Sequence, residues 1–307
     1  MKRSKGFLLV PIFLLAVYLL LLLTNLVPED SVDTTAKLFL SLVVLELIVF
    51  ALPSFFYTKL RGDALTKLLP LRGFSPHMIP FLLATACLIL TFGLCANGIF
   101  YFLGIGKEGY TALGSYILSD ISSETNPLYA MFAYGAIPAI CEEFFFRGIV
   151  YHEYKPYSTL TATLFSAFTY AMCYFDLSGF PFYFLSGLLL AYTVRITGSL
   201  LAPIAVRFAV SLASVYIMPT LWRLLTQPLG VLFAIFVSVA MCMISLFFFL
   251  KATETRYRHM AYDPAYATDT PYPKKEARYH TLKAFTSPLF LTSLAIFLTA
   301  AIVFILT

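Results

Sequence analysis

The sequence predicts an all-α fold, a polytopic membrane helix bundle of about nine transmembrane helices. Of the 307 residues, 60% are hydrophobic and only 12% are charged, and the mean hydropathy is +0.84. These values exclude an ordinary soluble domain. Apolar runs of about 20 residues recur along nearly the whole chain, which is the length that a helix needs to cross a bilayer. Long uninterrupted runs indicate helices rather than a barrel, because a backbone in hydrocarbon must satisfy its own polar groups.

Nine apolar runs are long enough to span a membrane. In chain order they are 7–27, 38–57, 78–104, 127–151, 159–177, 180–197, 199–219, 228–250 and 287–306. The first is interpreted as a retained anchor helix, because it is too long for a signal peptide and lacks a small-residue cleavage site. Most Lys and Arg residues fall in alternate loops, which predicts an N-terminus inside and a C-terminus outside.

The chain is predicted to form a single integral membrane domain over residues 1–307, in the bacterial cytoplasmic membrane. Its longest polar segment, 251–283, contains seven basic residues and five tyrosines. A basic, Tyr-rich cytoplasmic loop of this kind is typical of a segment that lies on anionic lipid headgroups, and a docking surface for a partner is the alternative. The basic residues are otherwise spread over short loops, so no nucleic-acid partner is expected.

The five cysteines predict neither a disulfide framework nor a zinc cluster. They lie inside apolar runs without paired spacing, at positions 87, 95, 141, 173 and 242. Cysteines in such places are expected to act as small buried hydrophobic residues.

Ionisable residues inside the apolar runs are the strongest functional signal, because such groups are costly at membrane depth unless they are paired or face a cavity. They are Glu46, Glu142, Glu143, Arg147 and Arg207. Glu143 and Arg147 are four residues apart and can pair on one helix face. Glu142 is turned about 100° away and needs a partner from another helix. Glu46 stands alone, and we expect it to be protonated or bonded to a neighbouring helix.

The stretch CEEFFFRG at 141–148 resembles the first motif, Glu-Glu-x-x-x-Arg, of the CAAX-processing and bacteriocin-processing (CPBP, or Abi) intramembrane protease family. Glu142, Glu143 and Arg147 match the motif, and the usual Gly148 follows. Two adjacent carboxylates inside an apolar run are rare in membrane proteins unless they serve a site.

The resemblance continues on both sides of this motif. Pro53 with its basic loop, the region of Phe168, and TGSLLAPIAVRF at 197–208 are similar to the corresponding family stretches. The resemblance therefore implies a family-like core over residues 38–220. The motif together with the downstream Gly-Ser-Leu-Leu-Ala-Pro is more specific than either alone.

The resemblance implies a water-activating Glu and His, a second His, and an Asn or Asp four residues later. Here the two His positions are occupied by Met172 and Arg207, and the Asn position by Ser211. Family members may use zinc, but a thioether is a poor zinc ligand and a guanidinium is none, so neither a metal nor another cofactor is expected. The four histidines of the chain, at 77, 152, 259 and 280, are all predicted at or beyond the cytoplasmic ends of spans. Among them only His152 is a candidate substitute ligand. It lies nine residues beyond Glu143, about 13.5 Å along a helix, so we expect a histidine at the membrane interface instead unless the helix ends early.

These substitutions are explained together if Arg207 faces Glu142. The buried set then holds two carboxylates and two guanidiniums, which is neutral without a metal. We expect this cluster to fix the fourth and seventh spans to each other, and Arg207→Ala to destabilise the protein more than Met172→Ala. A pocket beside it is expected to open toward the inner leaflet, with Tyr170, Tyr174 and the run of Phe at 144–146 as candidate walls.

The sequence is compatible with three functions from different classes. The first is a proteolytically degenerate scaffold or regulator that binds another membrane or envelope protein. The second is an active intramembrane endopeptidase in which Glu142 activates water against lipidated proteins or peptides. The third is a transporter, since charges inside spans also suit a translocation path, although no inverted repeat is visible.

Overall fold

A computed structural model describes residues 3–24, 35–62, 71, 73–103, 127–261 and 274–306 of the chain. Over these residues it contains ten helices and no strand, which confirms the all-α prediction. Eight of the helices are α1 (Arg3–Thr24), α3 (Ile79–Phe102), α5 (Thr159–Met172), α6 (Phe180–Thr197), α7 (Leu201–Tyr216), α8 (Met218–Ala261), α9 (Lys274–Phe285) and α10 (Pro288–Leu306).

The other two helices change their hydrogen-bonding register along their length. Helix α2 consists of Thr35–Glu46, a π-helical turn Leu47–Ala51, and Leu52–Arg61. Helix α4 consists of Pro127–Ala130, π-helical Met131–Ala136, Ile137–Glu143, π-helical Phe144–Tyr151, and His152–Tyr154. The second π-helical segment of α4 contains Arg147 of the Glu-Glu-x-x-x-Arg motif. Such segments are frequent at functional sites, because the extra residue per turn re-aims side chains.

Four described helices are long and apolar enough to cross a membrane, covering 40–61, 76–100, 180–197 and 230–258. A fifth candidate is the pair 278–285 and 288–303, whose two parts meet at 51°. Residues 9–24 and 201–216 form shorter apolar helices. The predicted count of nine spans and the predicted orientation stay predictions.

The predicted span 159–177 is too long, because α5 ends at Met172. Its 14 residues extend about 21 Å, which is less than the hydrocarbon thickness of about 30 Å. A turn follows, in which the carboxylate of Asp176 accepts hydrogen bonds from the backbone N–H of Ser178 at 2.9 Å and from its hydroxyl at 2.6 Å. This local bonding competes with helix continuation and starts the connection to α6.

The polar segment 251–283 is helical at both ends rather than a loop throughout. Helix α8 continues to Ala261, after a break at Gly230 (φ 81°, ψ 176°), and α9 begins at Lys274. Residues 262–273 lie outside the described residues. Helix α9 packs on α5 through the hydroxyls of Thr161 and Thr281, which are 2.6 Å apart.

The prediction that all five cysteines are buried is wrong for four of them. Only Cys141 is buried, whereas Cys87 is exposed and the other three are half-buried. Cys87 lies in the candidate span 76–100. An exposed position on an apolar helix faces lipid, so the periodicity of the run could not distinguish it from a core position. All five are free thiols.

The interior consists of two large apolar clusters that meet at α6. The first is built mainly from α1, α4, α5 and α10, and the second from α3, α6, α7 and α8. Helix α6 contributes Ala191 and Val194 to the first cluster and Leu190 and Ile196 to the second. The charged motif on α4 and Arg207 on α7 therefore belong to opposite halves of the bundle.

Candidate functional site

The predicted pair between Glu143 and Arg147 is present and fully buried. Nη1 of Arg147 donates to Oε1 of Glu143 at 2.9 Å, and neither side chain has solvent exposure. The spacing of four residues keeps both side chains on one face of α4 even though the helix changes register after Glu143. A buried ion pair of this geometry links two successive turns of α4.

Arg147 also connects α4 to the neighbouring helices. Its Nη2 donates to the carbonyl oxygen of Gly187 on α6 at 3.1 Å, and its guanidinium lies 4.5 Å from the ring centre of Tyr170 on α5. A cation above an aromatic face is stabilised by the ring quadrupole, more so when both are desolvated. Gly187 also lets α6 pack closely on α5, because a Cβ at that position would lie 2.9 Å from Cα of Ala167. Arg147 therefore holds α4, α5 and α6 together.

Arg207 supplies the partner that Glu142 needs from another helix. Its Nη2 lies 3.2 Å from Oε1 and 3.1 Å from Oε2 of Glu142, so one guanidinium nitrogen contacts both carboxylate oxygens. Both residues are 6% exposed. The sequence prediction that Arg207, at the second His position, faces Glu142 is thus confirmed in geometry. The pair joins α4 to α7 across the two halves of the bundle.

Tyr174 completes a triangle with this pair. Its hydroxyl oxygen accepts a hydrogen bond from Nη2 of Arg207 at 2.7 Å, and its O–H donates to Oε2 of Glu142 at 3.3 Å. The hydroxyl of Tyr170 lies 2.9 Å from the hydroxyl oxygen of Tyr174 and donates to that oxygen in this arrangement. Sequence reasoning predicted these two tyrosines only as pocket walls. Their hydrogen bonding depends on the turn after α5, which the sequence did not predict.

The turn holds Tyr174 in place by backbone and ring contacts. The next residue, Phe175, has a φ of 47°, an uncommon value for a bulky residue. Its ring packs 6.2 Å from Tyr18 and 6.3 Å from Phe297. The ring of Tyr174 itself stacks on Tyr183 of α6 at 3.7 Å between centres and 3° between planes. Strained backbone beside a polar cluster is a feature of functional sites.

A cavity of about 130 Å³ adjoins Glu142. Glu46 of α2 lies on its wall together with Phe50, Phe146, Tyr170 and Tyr174. Of the predicted walls, Phe146, Tyr170 and Tyr174 line this cavity, whereas Phe144 and Phe145 are not among its wall residues. The predicted opening toward the inner leaflet stays a prediction. Glu46 is expected to be protonated or bonded to a neighbouring helix, and the structure places it at the same cavity as Glu142. The charge of Glu46 inside an apolar run marked it as a candidate site residue. The sequence did not indicate that it shares a cavity with Glu142, because the two residues are more than 90 positions apart along the chain.

Met172 and Ser211, where the resemblance implies a His and an Asn or Asp, are not among the wall residues of this cavity. Met172 is fully buried in the apolar core, and Ser211 is 1% exposed, with a hydroxyl that has no hydrogen-bond partner among the described residues. His152 lies at the end of α4, where its Nδ1 is 2.6 Å from the carbonyl oxygen of Arg147. This contact is to backbone, and no hydrogen bond or ion pair among the described side chains joins a histidine to Glu142 or Glu143.

These donors do not fit a zinc ion. A tetrahedral site needs three or four Cys, His or carboxylate ligands, and the described residues contain no group of three that could hold a metal. The nitrogen that lies against Glu142 belongs to the guanidinium of Arg207, which repels a cation.

The four predicted charges form two ion pairs, but they do not satisfy every polar atom. Among the described residues, Oε2 of Glu143 and Nε of both Arg147 and Arg207 are buried without a hydrogen-bond partner. Each of the four charged groups therefore has an ion-pair partner, although three of their polar atoms have no hydrogen-bond partner within the part of the chain that the structure describes. The cause is geometric, since each guanidinium contacts its carboxylate through one terminal nitrogen only.

The fold and the site define an all-helical membrane protein with a buried glutamate–arginine cluster. Residues 124–213 match the family described as type II CAAX prenyl endopeptidase Rce1-like. This match confirms the resemblance that the motifs predict, over residues 124–213. The matched segment is narrower than the predicted core 38–220, and it contains Glu142, Glu143, Arg147, Met172, Arg207 and Ser211. No curated protein and no solved structure matches the chain.

Proposed function

We propose that this protein is a proteolytically degenerate member of its family, and that it acts as a scaffold or regulator by binding another membrane or envelope protein. The observation that carries the proposal is the contact of Nη2 of Arg207 with both oxygens of Glu142. A water molecule would have to displace a charge-assisted hydrogen bond to reach this carboxylate. A family-type hydrolase needs that oxygen as a base.

The state of Met172 supports the same proposal. Its side chain is fully buried in the apolar core, and a thioether can neither accept a proton from water nor bind zinc well. The proton acceptor and the ligand that the family takes from this position are therefore absent. We assign the protein to the bacterial cytoplasmic membrane as part of the proposal.

A hydrolysis assay tests this function. The purified protein is incubated with a quenched prenyl-peptide and a pool of short transmembrane peptides, and the wild type is compared with Glu142→Gln. Gln keeps the shape and one acceptor at this position, so the fold is preserved better than with Ala. Glu254→Gln, at an exposed glutamate with 64% side-chain exposure, is the matched control. We expect no cleavage that depends on Glu142.

An active endopeptidase is the second candidate, and one observation favours it: Glu142 lies on the wall of the cavity of about 130 Å³. In this mechanism Glu142 takes a proton from water, and the guanidinium of Arg207 donates to the oxyanion that forms. Both Glu142→Gln and Arg207→Gln would then lower turnover, by about 10²–10³ for the lost oxyanion donor. Such losses in folded variants would overturn the scaffold proposal.

The third candidate, a transporter, is tested separately by measuring solute flux into liposomes that contain the protein.

A further inference from the structure

The cavity beside Glu142 has one carboxyl group more than the neighbouring guanidiniums pair. Three carboxylates lie at or next to it, those of Glu46, Glu142 and Glu143, but the two guanidiniums are each used by one carboxylate. Glu46 is the remaining group, and its buried Oε2 has no hydrogen-bond partner among the described residues. An unpaired carboxylate in an apolar interior is costly until it binds a proton or a cation.

The size and walls of the cavity restrict what kind of cation fits. Its volume of about 130 Å³ is close to the roughly 150 Å³ of an engineered apolar cavity that binds benzene, so it can hold a group of about five or six non-hydrogen atoms. Phe50 and Phe146 provide apolar and aromatic surface, which favours an alkyl chain that ends in an ammonium group. One unpaired carboxyl group, once it is ionised, is neutralised by one monovalent cation.

The position of Glu46 indicates where that cation comes from. It lies in the candidate span 40–61, about 9 Å along the helix from one end and about 22 Å from the other. Its neighbours Val44, Leu47 and Ile48 are 43%, 44% and 42% exposed. The half-buried Glu46 is therefore surrounded by an apolar face suited to helix packing in lipid, at a depth that headgroup amines do not occupy.

We propose that the cavity binds the ammonium group of a lysine on a transmembrane helix of a partner protein, with Glu46 as the counter-ion. This inference rests on the proposed function and specifies the chemistry of the partner. The four methylenes of the lysine pass between the apolar walls, and the ammonium donates to Oε2 of Glu46. Ionisable groups within membranes pair with one another in this way.

Binding of two designed transmembrane peptides to the full-length protein tests the inference. Both are Leu/Ala helices of about 20 residues, one with a central Lys and one with Leu in its place, and affinity is measured by fluorescence transfer in phosphatidylcholine nanodiscs. We expect the wild type to bind the Lys peptide about tenfold more tightly than the Leu peptide, and n-butylammonium to displace it. In Glu46→Gln the two peptides should bind equally. Glu254→Gln is the control that should retain the preference.

Affinity for the Leu peptide shows whether Glu46→Gln is folded, since that peptide makes no use of the charge. Equal binding of both peptides to the wild type, or a Lys preference that persists in Glu46→Gln, would overturn the inference. So would loss of the preference on adding phosphatidylethanolamine, because a lipid amine would then be the ligand. A carboxylic-acid stretch in the infrared spectrum that disappears in Glu46→Gln and is unchanged by n-butylammonium would overturn it as well.

The two proposals fail separately. Cleavage that depends on Glu142 would overturn the scaffold function even if the Lys preference were present. Absence of the Lys preference without any cleavage would remove only the assignment of the partner's lysine.

Discussion

Arg207→Met is the substitution that isolates the ion pair between α7 and α4. Methionine is close to arginine in length and apolar, so the change removes the guanidinium without opening a large cavity. It leaves Glu142, which is 6% exposed, without a cation. Removing one partner of a buried pair typically costs about 3–5 kcal/mol, and we expect a loss of this size in the free energy of unfolding.

The comparison of Arg207→Ala with Met172→Ala separates the loss of the charge from the loss of packing only in part. Met172 is fully buried, and truncation of a buried methionine costs about 2–5 kcal/mol by itself. Arg207→Ala is still expected to cost more, because it leaves the buried carboxylate of Glu142 without its cation, but the two ranges of about 3–5 and 2–5 kcal/mol overlap. The double variant Glu142→Met/Arg207→Met separates them, because replacing both partners of a buried pair by apolar groups is often neutral or stabilising.

The assay is reversible unfolding in mixed micelles by titration with dodecyl sulfate, followed by circular dichroism. Arg258→Met is the control, because the Arg258–Glu254 pair is exposed (75% and 64%) and such pairs contribute about 0–1 kcal/mol. A loss below about 1 kcal/mol for Arg207→Met, or a double variant as unstable as the single one, would refute the reasoning.

Three further substitutions test other contacts of the site by the same unfolding assay. Tyr174→Phe should cost about 1.5–3 kcal/mol, because its hydroxyl bonds to two charged groups; a neutral effect would mean that the ion pair does not need it. Gly187→Ala should cost about 1–3 kcal/mol, since its Cβ would meet backbone 2.9 Å away. In the control Gly93→Ala, the Cβ meets the movable ring of Phe182, so this change should cost less. A larger loss of stability for Gly93→Ala than for Gly187→Ala would contradict the packing argument. Glu153→Gln should destabilise by about 3 kcal/mol or more, because Oε1 of Glu153 lies 2.7 Å from Nε of Arg61 with side-chain exposures of 5% and 10%; equal stability of the variant would show that the pair does not hold α2 to α4.

Interactions within one helix were predictable because helical spacing fixes them. The spacing of four residues between Glu143 and Arg147 was sufficient to predict their 2.9 Å contact. The same geometry showed that Glu142 points elsewhere and needs a partner on another helix. Aligning the family motifs then indicated Arg207, and the contact is present at 3.1 Å.

Features that depend on turns and helix packing were not predictable. The end of α5 at Met172, the backbone of Phe175 and hence the hydrogen bonds of Tyr174 come from a turn whose bonding involves Asp176 and Ser178. An apolar run does not indicate where a helix ends inside it. Likewise, the exposure of Cys87 depends on which side of α3 faces the bundle.

The sequence by itself determined the all-helical membrane class, the motif on α4 and the family resemblance of residues 124–213, because composition, run length and residue spacing act locally along the chain. Tertiary structure decided which charges share the site. Glu46 and Glu142 are 96 residues apart in sequence and lie on one cavity wall only because α2 packs beside α4. Their proximity leaves the carboxyl group of Glu46 without a guanidinium partner, and this unpaired group is the physical basis of the ligand chemistry proposed for the cavity.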